Sequence, residues 1–204
     1  MTTIDEGAEG QAAQQRPVRQ KRADALRNEQ ALLAAAATVF VTSGVEAPVR
    51  DIAAAAGVGM GTIYRHFPTR ADLVVAVYRH QVEACAEAGP VLLANAGSPH
   101  AALGQWISLF VDFLVTKHGL AAVLQPNNIG FDALHTYFLD RLVPVCAQLL
   151  AAAAEAGEIS ADIDALELMY GIGNLCVGAD KDPRYNARRM VKLLIAGLLQ
   201  SRST

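Results

Sequence analysis

The sequence is poor in the features that mark several protein classes. Aromatic residues make up only 6% of the 204 positions, and alternating β-branched segments, the usual strand signal, are hard to find. The three cysteines, Cys85, Cys146 and Cys176, are widely spaced, odd in number and set in apolar surroundings. They read as buried reduced thiols, with a redox sensor as the alternative. No Cys-x-x-Cys pair exists and the five histidines form no paired-ligand motif. Phosphate-cradling glycine loops and nucleophile elbows are absent as well. These absences argue against an enzyme, a metal centre or a cofactor. No apolar run reaches the ~18 residues that span a bilayer, and Met1 to Gln15 lack the apolar core of a secretory signal. A cytoplasmic protein with no membrane partner is the default expectation.

What is present points to helices. Hydrophobic residues make up 52% of the chain, enough for a substantial core, and the dominant Ala and Leu favour helix. The net charge of −3 is unevenly placed: residues 1–15 carry −3, residues 16–80 carry +4 and residues 81–204 carry −4. A basic segment on an acidic protein is the pattern of one domain that meets phosphates and another that does not.

Periodicity and punctuation divide the chain into about nine helices in an all-α fold. Residues 1–20 read as a disordered tail without apolar periodicity. Residues 21–68 read as a three-helix unit: about Asp24 to Thr42 with a stripe of Leu32, Ala36, Val39 and Phe40, then Pro48 to Ala56, then Met60 to His66. Residues 69–204 read as a larger helical domain. Its first helix is capped by Thr69 and runs from Arg70 to about Ala88, where Gly89-Pro90 interrupts. A fifth helix starts at Pro99 and buries Leu103, Ile107, Phe110 and Leu114. Gly119 sets off a short sixth, Leu120 to Gln125. A seventh runs from Phe131 to Ala156, with a kink or break expected at Pro144. Asp162 or Asp164 caps an eighth that ends near Gly178. Asp182-Pro183 caps a ninth, with Met190, Leu193, Leu194, Gly197 and Leu198 at helical spacing.

The most informative stretch runs from Asp51 to Arg70. Two short helices joined by a tight turn at Gly57 form a helix-turn-helix. Such a unit lays its second helix in the DNA major groove, with that helix's first residues against base edges. Gly59, Met60 and Gly61 keep the helix entrance small, so that backbone can approach DNA. Thr62, Tyr64, Arg65 and His66 supply groups able to bond bases or phosphates, while Ile63 and Phe67 point inward. Arg65 as a solvated surface charge and His66 as a packing residue are the alternatives at those two positions.

The pattern Ile52-Ala-x-x-Ala-Gly-Val-x-x-Gly-Thr-Ile-Tyr-x-His-Phe67 resembles the DNA-binding signature of the TetR family of transcriptional regulators. The likeness covers about Arg27 to Leu73 and extends through Pro68-Thr69-Arg70 to one subgroup. Many members carry Ser where Gly59 stands and Lys where Arg70 stands; Gly59 forgoes the side-chain N-cap, and Arg70 keeps the charge. The resemblance implies that Met60, Gly61, Thr62 and Tyr64 line the groove face. It further implies that Tyr64 and His66 touch phosphates as well as bases, and that Arg50 and Arg70 bond phosphates. The basic arm around Arg19 to Arg22 is either a minor-groove contact or a solubilising linker. One monomer offers few base contacts, each worth ~1–3 kcal/mol when bidentate. A homodimer reading a palindromic double-stranded DNA operator is therefore expected.

The segments Phe110 to Leu124 and Asp182 to Leu198 look like the C-terminal domain of the same subgroup. That likeness implies dimerisation through the last two long helices and an internal site for an unknown small-molecule effector. Trp106, Phe110, Phe113, Phe131, His135, Phe138, Tyr170 and Asn174 are the candidate lining residues, with ordinary core packing as the alternative for each. Gly171, Gly173 and Gly178 each cost about 1 kcal/mol of helix propensity if they lie within a helix; close helix approach or space for a ligand would justify them, with ordinary packing as the alternative. The function implied is a ligand-responsive repressor. The alternative is an architectural DNA-binding protein without an effector site.

Overall fold

The structure is a computed structural model. It describes the backbone at 8–123, 129–177 and 184–199, and side chains at 24–114, 117, 132–177 and 184–199. Eight helices make up the described residues: α1 (Ala8–Ser43), α2 (Val49–Ala56), α3 (Met60–His66), α4 (Arg70–Asn95), α5 (Pro99–Val123), α6 (Ile129–Glu155), α7 (Ala165–Cys176) and α8 (Ala187–Gly197). Among the described residues there is no strand, only an isolated antiparallel bridge between Ile159 and Leu199. The all-α expectation holds.

Several boundaries differ from those read in the sequence. Residues 8–20, expected as part of a disordered tail, have helical backbone continuous with α1; their Ala, Gln and Glu content suits a helix. Gly119 does not end α5, which runs on to Val123, so the separate helix expected from Leu120 merges with it. α4 likewise passes through Gly89-Pro90 to Asn95. Proline forfeits one helical hydrogen bond, but packing holds the helix together there. A Cβ at Gly89 would overlap Val145 Cγ1 of α6, so the glycine is set by close approach of two helices rather than by a chain break. α6 contains Pro144 without ending. The expected Asp182-Pro183 cap lies outside the described residues. The cap of α8 is Asn186, whose side chain accepts from the Arg189 N–H at 2.9 Å.

The core forms where α4, α5 and α6 meet. Phe110 of α5 stacks on Trp106 and on Phe138 of α6, with centroids 5.8 and 6.1 Å apart. Tyr78 of α4 meets Phe113 at 5.0 Å. Each buried large side chain contributes about 1.5–3 kcal/mol. The polar ends of two are satisfied inside: Trp106 Nε1 donates to the Cys85 carbonyl at 2.8 Å, and Tyr78 Oη donates to the Leu134 carbonyl at 3.0 Å. The stretch Asp132–Glu155 is long and apolar enough by composition to cross a membrane. Here its Leu134, Phe138, Leu142, Cys146, Leu149 and Ala153 belong to the core.

α8 departs most from expectation. The face buried in the protomer is Ala187, Val191 and Ile195, whereas Leu193 of the expected apolar repeat is 58% exposed. Cys85 and Cys146 are buried free thiols and Cys176 is half-buried. Burial pushes the thiols of Cys85 and Cys146 up to about 12 and raises that of Cys176, which disfavours the reactive thiolate a redox sensor needs.

Candidate nucleic-acid interface and internal cavity

α2 ends where Gly57 adopts φ 66°, a left-handed conformation that glycine reaches without a Cβ penalty. The turn delivers the chain to Gly59, extended at φ −75° and ψ 148°, as the N-cap of α3. Ile52 and Ala53 of α2, Ile63 of α3 and Phe67 just beyond it are buried with Leu32, Ala36 and Phe40 of α1. That small core fixes the orientation of α3. The opposite face is open: Met60 is 51% and Tyr64 52% exposed, with Gly61, Arg65 and His66 exposed beside them and Thr62 half-buried. A Cβ at Gly61 would meet nothing within 4 Å, so the fold itself does not require a glycine there. Two large apolar or amphipathic side chains held in solvent on a rigid helix are what a partner surface would use.

The arginines expected at phosphates have different surroundings. Arg50 projects from the start of α2, 77% exposed, with its Nε 3.4 Å from Asp51. Arg70 is mostly withdrawn from solvent. Its Nη2 donates to the carbonyls of Val45 and Ala47, the latter at 2.6 Å, and its Nε lies 3.8 Å from Glu46. It therefore holds the α1–α2 connection against the start of α4. The Thr69 capping box beside it is complete, with Asp72 N–H donating to Thr69 Oγ1 at 3.1 Å and Thr69 N–H donating to Asp72 Oδ2 at 3.0 Å. The arm at Arg19 to Arg22 lies outside the described side chains.

A cavity of about 150 Å³ opens between α5, α6 and α7. Of the eight candidates, Phe110, Phe138, Tyr170 and Asn174 line it. Trp106 and Phe113 are fully buried core residues that do not. His135 sits behind the wall, stacked on Phe138 at 5.6 Å. The Phe131 side chain lies outside the described residues. Sequence reasoning missed Leu114, Met169 and, above all, Lys117. The Lys117 ammonium sits 4.2 Å from the centroid of the Phe138 ring, and desolvation lowers its pKa. His135 is also pushed down, by desolvation first and then by the Lys117 charge, with Asp132 opposing. Lys117 falls one turn after Phe113 and Leu114, and a charge continuing an apolar helix face is the signal that could have found it.

The architecture thus defines a class: a helix-turn-helix DNA-binding unit joined by α4 to a helical domain that contains a cavity. Comparisons with known proteins give the family. Residues 32–77 match the model for bacterial regulatory proteins of the tetR family, and residues 98–200 match the C-terminal domain of SbtR-like transcriptional regulators. A TetR transcriptional regulator from Streptomyces coelicolor is 32% identical, covering 85% of this chain and 99% of its own, with a TM-score of 0.70. A TetR regulatory protein from Mycobacterium vanbaalenii is 33% identical, covering 88% and 99%, with a TM-score of 0.62. FadR from Bacillus subtilis, solved in complex with stearoyl-CoA, shares the fold at 20% identity, covering 83% and 97%, with a TM-score of 0.52. A comparison with curated protein sequences finds no match. The chain belongs to the TetR family and is a DNA-binding transcriptional regulator.

Proposed function

We propose that the protein is a cytoplasmic, homodimeric repressor that binds a palindromic operator through α3 and releases it when a small molecule occupies the cavity between α5, α6 and α7. The observation that carries the DNA contact is the face of Met60, Gly61 and Tyr64, exposed although Ile63 on the same helix is buried. Met60, Gly61, Thr62 and Tyr64 would read base edges, and Arg50, Arg65 and His66 would meet phosphates. Arg70 acts as a positioning residue, since its guanidinium is taken up by backbone carbonyls.

Two unburied faces support a dimer. On α8, Leu193 and Gly197 are exposed while Val191 and Ile195 face the core. On α7, Leu166, Tyr170 and Val177 fall on one face, and all are exposed. Gly173 lies on that face; a Cβ there or at Gly171 would meet nothing in the protomer. Glycines without a close neighbour in their own chain suit a second copy approaching them, and the partner's α7 would cover the open side of the cavity. FadR, solved in complex with stearoyl-CoA, supports the effector role to the extent that a protein of this fold binds a ligand.

The coupling follows from connectivity. Three residues separate α3 from α4, and α4 packs against the two long helices that wall the cavity. A ligand that spreads α5 from α6 would tilt α4 and change the spacing of the two recognition helices.

The test is selection from a randomised duplex library with sedimentation of the winning complex. The proposal expects one two-fold-symmetric sequence bound by an even number of chains. Recovery of unrelated sequences with purely salt-dependent affinity would favour the architectural reading instead.

A further inference from the structure

Resting on the reading of this cavity as the effector site, we infer that its ligand is a small organic anion, a carboxylate on one aromatic ring or a short acyl chain, whose charge is met by Lys117. Three observations converge. The walls contributed by Phe110, Leu114, Phe138 and Met169 are apolar, and a cavity of about 150 Å³ holds roughly one benzene ring. A single ring or a short chain therefore fits between the walls as they stand.

Second, Lys117 brings a positive charge to these walls without a counter-ion. Among the described residues no carboxylate makes an ion pair with it, and only desolvation acts on its titration. The Phe138 face offers the ammonium a cation–π contact, which holds the charge beside the cavity. A half-buried cation with no carboxylate beside it among the described residues is a site that an anion completes. Third, the adjacent group responds to the same charge. His135 stacks on the same Phe138 ring, and its titration is biased toward neutrality by burial and by Lys117. An anion entering the cavity would offset the effect of the Lys117 charge, as Asp132 already does in part. Asn174, also on the wall, is placed to bond the carboxylate's second oxygen or a ring substituent.

The selectivity is thus set by charge more than by shape. A neutral molecule of the same outline would fill the apolar walls but leave the ammonium without its anion.

The experiment compares benzoate with its neutral isostere benzamide on the full-length protein, using calorimetry and thermal shift, for the native chain, Lys117→Met and Lys117→Arg. Expected is benzoate binding at least about tenfold tighter than benzamide to the native protein, the size of one charge-assisted hydrogen bond. Lys117→Met should remove that preference and Lys117→Arg should keep most of it. Equal binding of the two probes, a preference that survives Lys117→Met, or no binding of benzoate would each overturn the inference. Whether bound benzoate releases the selected operator is scored separately. Binding without release leaves the anion assignment standing and rejects the effector reading; release by benzamide as readily as by benzoate does the reverse.

Discussion

The recognition unit and the cavity are built in opposite ways. The first is assembled from about twenty consecutive residues, with buried Ile52, Ile63 and Phe67 on one side and exposed Met60 and Tyr64 on the other. The second draws its walls from Phe110, Lys117, Phe138 and Tyr170, on three helices far apart in sequence. One is an exposed helix face; the other is an apolar recess lined, among the described residues, by a single partly desolvated charge. The first therefore presents chemistry outward to a partner of fixed shape, while the second selects by size and sign.

The sharpest way to break that comparison is at adjacent positions of α3. Ile63→Ala should cost about 2–5 kcal/mol of stability, because it empties a fully buried site. Met60→Ala should leave stability within about 0.5 kcal/mol yet weaken operator binding. Urea denaturation beside a binding titration separates the two effects, and a large stability loss at Met60 would show that its exposed face is structural.

Gly89→Ala tests the helix packing behind the cavity. Its new Cβ would strike Val145, so a loss of about 1–3 kcal/mol is expected. Truncating Val145 to Ala in the same chain should recover part of it. The two arginines come next. Arg70→Ala should lower stability by about 1–3 kcal/mol, since it strips two backbone carbonyls of their donor, while leaving the salt dependence of DNA binding unchanged. Arg50→Ala should do the reverse, lowering the salt slope by about one without altering the melting temperature.

The smallest effect lies on the outside of α4. Hydrogen bonds from Arg141 and then Tyr137 hold the Glu83 carboxyl below its ordinary value of 4.5. A depressed folded-state pKa adds stability that is complete above the unfolded value and is lost as pH falls through the folded one. Glu83→Gln should therefore lower stability slightly at neutral pH and make no difference in acid below the folded-state value, which flattens the acid limb of the stability curve. The pair is too exposed for more.

The same contrast explains how much the sequence reveals. The helix-turn-helix was legible because its determinants are local: the glycine stop at Gly57, the inward Ile63 and Phe67, and the cap at Thr69. The core face of α5 was legible from its period. Four of the eleven residues of the proposed cavity wall, Phe110, Phe138, Tyr170 and Asn174, were found, the first three because aromatics at helical spacing suggest an interior. Trp106 and Phe113 carry the same signal yet belong wholly to the core, since periodicity cannot separate a wall from what lies behind it. Lys117 was missed because its surroundings come from α6. α8 misled for the complementary reason. Two apolar stripes compete there, and only tertiary packing chose Val191 and Ile195 over Leu193. Gly89-Pro90 reads as a break until Val145 is seen against it.

The central claim is that the exposed face of α3 reads DNA sequence. It is tested most directly by titrating native protein and Tyr64→Ala against the selected operator and a scrambled duplex at matched salt. The account predicts that the variant folds normally, binds the scrambled duplex as the native protein does, and loses about tenfold or more on the operator. A variant that binds the operator with native affinity would contradict it.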